Sequence, residues 1–120
     1  MSEESRLYDF SIFTHSHPPD KEFIKNMVSL FLTNMPETNN SLVKACKEQN
    51  WEEVHFNAHK MKAGIDTFNV VPLKSVIRKV EKKSKHISEA DIEAINNDVM
   101  LIDHYIQKCI NAMKQEIKTL

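Results

Sequence analysis

The stretch Trp51–Phe68, WEEVHFNAHKMKAGIDTF, constrains the fold more than any other part of the chain. Its apolar residues Trp51, Val54, Ala58, Met61, Ile65 and Phe68 alternate spacings of three and four without interruption. That is the stripe by which an amphipathic helix faces a packed core. At about 100° per residue, His59 falls roughly 130° from the centre of the stripe, on the side turned to solvent. Phe56 lies one turn before it on the same outer face and Ala63 one turn after. Lys62 sits between His59 and the core boundary.

The chain has one glycine in 120 residues. Sheet-rich folds need many tight turns, most often supplied by glycine, so this scarcity favours helices throughout. A hydrophobic fraction of 41% and a charged fraction of 28% fit one ordinary globular domain with a modest core. A net charge of −1 provides no global attraction to nucleic acid or to an anionic membrane. Cys46 and Cys109 form neither a CxxC pair nor a disulfide framework, as in proteins with reduced cytosolic thiols. There is no apolar run of about 18 residues and no secretory leader pattern. A cytoplasmic location is expected.

The rest of the chain can be read in order. Leu7, Tyr8, Phe10, Ile12 and Phe13 predict a short helical turn docked across the bundle, ended by His15-Ser16-His17-Pro18-Pro19. Asp20 is a good N-cap for a helix over about 20–34. Phe23, Ile24, Met27, Val28, Leu30, Phe31 and Leu32 give that helix a wide apolar surface, which implies contact on two sides. Met35-Pro36 predicts a break or sharp bend, after which a helix resumes to about Gln49 with Leu42, Val43, Ala45 and Cys46 inward. Asn50 can cap the central helix, and Asn69 can end it in the left-handed conformation.

Pro72 suits the first turn of the next helix, which runs to about Lys85 with Val76, Ile77 and Val80 inward. Ser88-Glu89-Ala90-Asp91 resembles a capping box. It opens a long helix whose stripe is Ile92, Ile95, Val99, Ile102, Ile106, Cys109, Met113 and Leu120. A period near 3.5 suits helices packed at a shallow angle. The predicted fold is all-α: an antiparallel up-and-down four-helix bundle with an N-terminal helical extension. It is expected as a single domain over 1–120, with its core over about 7–117.

The segment Ala58-His59-Lys60-Met61-Lys62-Ala63 resembles the motif of histidine phosphotransfer domains, in which Ala-His-x-apolar-Lys is followed by small residues. Leu7-Tyr8-Asp9-Phe10, Asp20-Lys21-Glu22-Phe23-Ile24, Trp51-Glu52 before the motif and a long closing helix extend the likeness from about residue 7 to 117. The resemblance implies a four-helix bundle that carries a phosphoryl group on an exposed histidine between response-regulator receiver domains, downstream of hybrid sensor histidine kinases. His59 would then be the phosphoacceptor, Lys62 the cation that steadies the phosphate, and Ala63 the small residue that admits the receiver. Mg and the acceptor aspartate would belong to the receiver. The chain itself would be a phosphocarrier with no cofactor, no metal and no catalytic apparatus of its own; a monomer is expected, with association left open by the wide apolar surface of helix 20–34. Two positions depart from the family pattern: Ala63 stands where glycine is commonest, and Phe68-Asn69 where many relatives have an apolar residue and glycine. Gly64, displaced by one, points away from His59 on the wheel and does not replace that glycine.

The chemistry suits the residue type. A neutral imidazole, with an ordinary pKa of about 6.5, is nucleophilic at neutral pH, and its phosphoramidate is a reactive donor. The competing readings are an exposed histidine without a role, a non-phosphorylated helical adaptor, and a zinc site using His55 and His59, four apart on one helix. The last lacks an evident third ligand and the glutamate of H-E-x-x-H. Phe56 and His55 are candidates for partner docking, Phe56 as a hydrophobic anchor. Lys62 can also pair with Asp66 four residues on. Lys74, Arg78, Lys79, Lys82, Lys83 and Lys85 surround a single acid, Glu81. They form either a solvated helix face or a surface that selects an acidic partner. Nucleic-acid binding is disfavoured without aromatic interleaving or overall basic charge.

Overall fold

Four helices make up nearly all of the computed structural model, which describes residues 7–9 and 21–120. They are α1 (Lys21–Lys47), α2 (Trp51–Thr67), α3 (Val71–Lys85) and α4 (Glu89–Glu116), followed by a 3-10 turn, Ile117–Thr119. Three-residue connections leave each helix no choice but to turn back beside its predecessor. Each packs on its neighbours in sequence, and α4 closes the ring against α1. The result is the predicted antiparallel bundle. No described helix is long and apolar enough to cross a membrane.

The core follows the periodic stripes. Val54, Ala58, Met61, Ile65 and Phe68 are buried from the central stripe, with Trp51 half-buried at its end. Leu73, Val76, Ile77 and Val80 of α3 and Ile95, Val99, Ile102, Ile106, Cys109 and Met113 of α4 complete it. Phe31 meets Phe68 edge to face, with ring centres 5.1 Å apart.

The connections use side chains where glycine is missing. Asn50 accepts the Glu53 N–H and caps α2, and Asn69 ends α2 at φ 51°, both as expected. Gln49 adopts φ 54° in the preceding turn, a position that its residue type does not announce. Pro72 lies in the first turn of α3. The Asp91 carboxylate accepts from the backbone N–H of Ser88 at 3.4 Å and from its hydroxyl at 2.9 Å at the start of α4.

Pro36 does not break the helix, which corrects that part of the expectation. It lies inside α1, which continues unbroken from Lys21 to Lys47. An interior proline removes one backbone donor and costs about 3 kcal/mol locally. Burial on both sides offsets this: Phe31 and Met35 before it, Leu42, Ala45 and Cys46 after it. Asn39, fully buried just beyond, donates from Nδ2 to Asp103 Oδ1 at 2.8 Å and ties α1 to α4.

The N-terminal extension is described only at Leu7–Asp9, which is not helical. Leu7 and Tyr8 pack against the core. Asp9 donates its N–H to the Phe68 carbonyl at 2.9 Å and accepts from Asn69 Nδ2 at 2.7 Å, which fastens it to the α2–α3 turn. The Tyr8 hydroxyl donates to the Glu116 carboxylate, and burial followed by that bond pushes the phenol above its ordinary range. Phe10, Ile12, Phe13, the His15–Pro19 segment and the Asp20 cap lie outside the described residues.

Candidate functional site

Burying the stripe of α2 leaves its opposite face outward, and His59 stands there with 63% of its side chain exposed. The ring is not free. The inward residues of α3, Ile77, Val80 and Ser84, bring the neighbouring Glu81 into the seam between α3 and α2, where its side chain is 16% exposed. Glu81 Oε2 lies 2.6 Å from His59 Nδ1, and Glu81 Oε1 lies 2.8 Å from Lys62 Nζ. One carboxylate thus holds the imidazole and the ammonium together, an oxygen for each. The bond from Lys62 first, and that from His59 second, hold the Glu81 carboxyl below the usual carboxylate range.

The contact assigns the donor. An ionised carboxylate can only accept, so His59 Nδ1 carries the proton that it donates to Glu81. In the neutral imidazole the lone pair then resides on Nε2.

His55, one turn earlier, is half-buried. Its Nδ1 lies 2.7 Å from the backbone carbonyl of Glu81, which also can only accept, so Nδ1–H is the donor. Glu81 is therefore held at both ends, its main chain by His55 and its carboxylate by Lys62 and His59. His55 and His59, with Glu52, Glu53 and Phe56, line a shallow cleft. Among the described residues no group of three or more His, Cys, Asp or Glu side chains is placed to hold a metal ion.

Phe56 is 55% exposed, with the Lys60 ammonium 5.3 Å from its ring centre. Ala63 is exposed on the other side of His59, on the edge of a groove of about 480 Å³ between α1 and α2. Leu30 and Met27 form its α1 wall, Lys60, Ala63 and Thr67 its α2 wall, and Phe31, Met61 and Phe68 lie at its base. Gly64 faces α1, where an added Cβ would meet Met35 Cε at 2.7 Å. It serves helix packing and is turned away from His59, as the wheel predicts.

Two pairings differ from expectation. Lys62 does not pair with Asp66 but reaches across the seam to Glu81, while Asp66 takes Arg78 of α3 at 2.7 Å. A long-range carboxylate already half-desolvated in the seam is a better partner than an exposed one on the same helix. Glu81 itself is the residue of the candidate site missing from the sequence-based candidates. Its signal was its isolation: the one acid inside a strongly basic helix.

A family model described as "Hpt domain" matches residues 26–117. No curated protein and no solved structure matches the chain.

Proposed function

The chain belongs to the Hpt domain family, which serves phosphotransfer in two-component phosphorelays, and from that premise we propose that it is a phosphorelay intermediate whose phosphoacceptor is His59. The observation that carries this reading is the arrangement on the outer face of α2, with Glu81 bound to both His59 Nδ1 and Lys62. It leaves a nucleophilic Nε2 on an exposed ring, beside a cation suited to phosphate oxygens.

In acceptance, the Nε2 lone pair attacks the phosphorus of a receiver's aspartyl phosphate. The P–N bond forms as the P–O bond to the aspartate breaks, and the electron pair leaves on the aspartate carboxylate. Donation to a second receiver is the same step reversed. Such transfer depends on in-line placement and on charge stabilisation more than on covalent assistance. Placement comes from a ring fixed on a rigid helix, and charge stabilisation from Lys62 together with the receiver's own Mg ion. The chain carries the group and the receiver supplies the rest of the catalytic centre.

Docking in this reading uses the apolar surface beside His59. Ala63, small and exposed, allows close approach at the edge of the α1–α2 groove, and Phe56 offers an anchor on the opposite side. His55 contributes to the surface through the cleft it lines with Phe56 and His59. The partners are receiver domains and a hybrid sensor kinase, met in the cytoplasm by a monomeric carrier.

The test is phosphoryl transfer from a radiolabelled, phosphorylated receiver to the wild type and to His59→Gln. Label that is acid-labile and base-stable on the wild type, and missing from the variant, is the expected result. Label on both proteins would place the acceptor elsewhere. No label on either, across several receivers, would leave a helical adaptor that binds without carrying phosphate.

A further inference from the structure

Outside the seam that it shares with α2, α3 turns a face of one sign to solvent. Its cations are Lys74, Arg78, Lys79, Lys82, Lys83 and Lys85, and its one acid, Glu81, is held inside the seam by Lys62 and His59. Arg78, Lys79, Lys82 and Lys85 are exposed. The spacing 78, 82, 85 sets three of them in one line on the outer side of the helix, about 10 Å from end to end.

The charges of the seam are paired, but those beyond it are answered only at the edges. Asp66 of α2 holds Arg78 at 2.7 Å, and Asp98 of α4 reaches Lys79 at 3.9 Å, close to the limit of an ion pair. Among the described residues Lys82, Lys83 and Lys85 pair with no carboxylate, although the first turn of α2, with Glu52 and Glu53, runs beside the last turn of α3. Cations in a last turn favour a helix C-terminus, which accounts for these three lysines but not for Arg78 and Lys79, a turn and more earlier. A solvated helix face normally mixes both signs. Here Lys74–Arg78, Arg78–Lys82 and Lys79–Lys83 oppose like charges at i,i+4 and work against the helix. The chain has 17 acids to 16 lysines and arginines, so the segregation is local and not a matter of composition.

We infer that this stripe is an electrostatic docking surface for an acidic patch on the receiver that meets His59, and that it selects among receivers by charge. The inference rests on the carrier reading of His59. The stripe is continuous with that site, since Arg78 is bound to Asp66, one turn past Lys62 on α2, and Glu81 to His59. A partner seated on the outer face of α2 therefore overhangs α3. Complementarity defines the occupant. A receiver holds its Mg ion with oxygen ligands, carboxylates chief among them, so the end that it brings to His59 is rich in acid. On the other flank the α1–α2 groove is mostly apolar. A footprint basic on one side of His59 and apolar on the other fixes the partner's orientation as well as its charge.

The experiment times transfer from the full chain, phosphorylated on His59 with phosphoramidate, to a receiver that accepts from the wild type, at limiting receiver concentration and from low to high salt. Lys82→Glu with Lys85→Glu reverses the stripe. Lys108→Glu with Lys114→Glu makes the same change of net charge at exposed positions of α4. At low salt the stripe variant should transfer about tenfold more slowly than the wild type and the α4 variant within about twofold, the difference fading at high salt. Changing the receiver's surface acids beside its acceptor aspartate to Lys should restore the rate with the stripe variant and slow it with the wild type. A deficit caused by a disturbed fold would show in urea denaturation and would not be rescued in this way. No slowing, equal slowing by both variants, or a deficit that neither salt nor the reversed receiver removes would overturn the inference while leaving His59 as the carrier. So would phosphatidylserine vesicles that sediment the wild type but not the stripe variant while transfer is unchanged, because the stripe would then face a membrane. A wild type that takes label from phosphoramidate but passes it to no receiver would overturn the carrier reading, and the inference with it.

Discussion

The two flanks of α2 are built on opposite principles. Towards α1 the contact is apolar and close, with Gly64 against Met35, Phe31 against Phe68, and an open groove above them. Towards α3 the contact is ionic, with Asp66 on Arg78 and Lys62 and His59 sharing Glu81. His59 stands between the flanks. The apolar side presents a surface that gains by being covered, with Leu30 and Phe56 exposed near the groove and the histidine. The ionic side presents none, because its charges already satisfy one another. The proposed carrier role calls for both: a face to be recognised by and a face that holds the His59 ring in one orientation. Dividing these tasks between two seams lets either be altered without the other.

The largest effect expected from that division comes from closing the apolar side. Ala63→Leu adds a branched side chain at the edge of the groove on an exposed helical position, where leucine is well tolerated by the helix itself. A clash in a tightly apposed interface costs about 2 kcal/mol, so transfer at limiting receiver concentration should fall about thirtyfold. Urea denaturation should show unchanged stability. Equal transfer by wild type and variant would place the docking surface elsewhere.

Lys62→Met attacks the ionic side, and about tenfold slower acceptance is expected from losing one charge-assisted contact to the phosphoryl group. Here the loss should appear in the maximal rate, while receiver affinity stays nearly constant. A change confined to affinity would make Lys62 a docking residue. Phe56→Ala is milder. Removing an exposed anchor of about 1 kcal/mol weakens receiver binding about fivefold, with melting temperature and maximal rate retained.

Most of the apolar side was legible in the sequence, because it is local. The stripe from Trp51 to Phe68 shows in its spacing, and Asn50, Asn69, Pro72 and Ser88 mark helix ends by backbone preferences that operate within four residues. The ionic side was not legible, because it is a meeting of two helices. A wheel drawn for α2 puts Lys62 near Asp66 and cannot show that α3 places Glu81 closer. It also presents His55 as a surface residue, although a carbonyl from α3 accepts its proton. The break expected at Pro36 is missing for the related reason that a local rule was outweighed by distant packing: α1 buries residues on both sides of the proline, which no dipeptide rule can register.

The smallest expected effect separates stability from chemistry on the ionic side. Glu81 is held below its ordinary value of 4.5 by Lys62 and His59. A carboxyl whose pKa is lower in the folded than in the unfolded chain stabilises the fold fully above the unfolded value. That contribution is lost as pH falls through the folded value. Wild type should therefore exceed Glu81→Gln in stability at neutral pH, by less than about 1 kcal/mol for a partly exposed seam. The gap should hold steady down to about pH 5 and shrink below it. Urea midpoints at a common m-value, measured from pH 7 to pH 3, give the comparison. A gap that stayed constant to pH 3 would mean that Glu81 stabilises by packing instead of by charge. If the gap is that small at neutral pH and closes on schedule, the ionic flank acts through charge but contributes little to holding the bundle together. Its shared carboxylate then does more to fix the His59 ring of the proposed site than to hold the fold, since the apolar flank and the core already suffice for the fold.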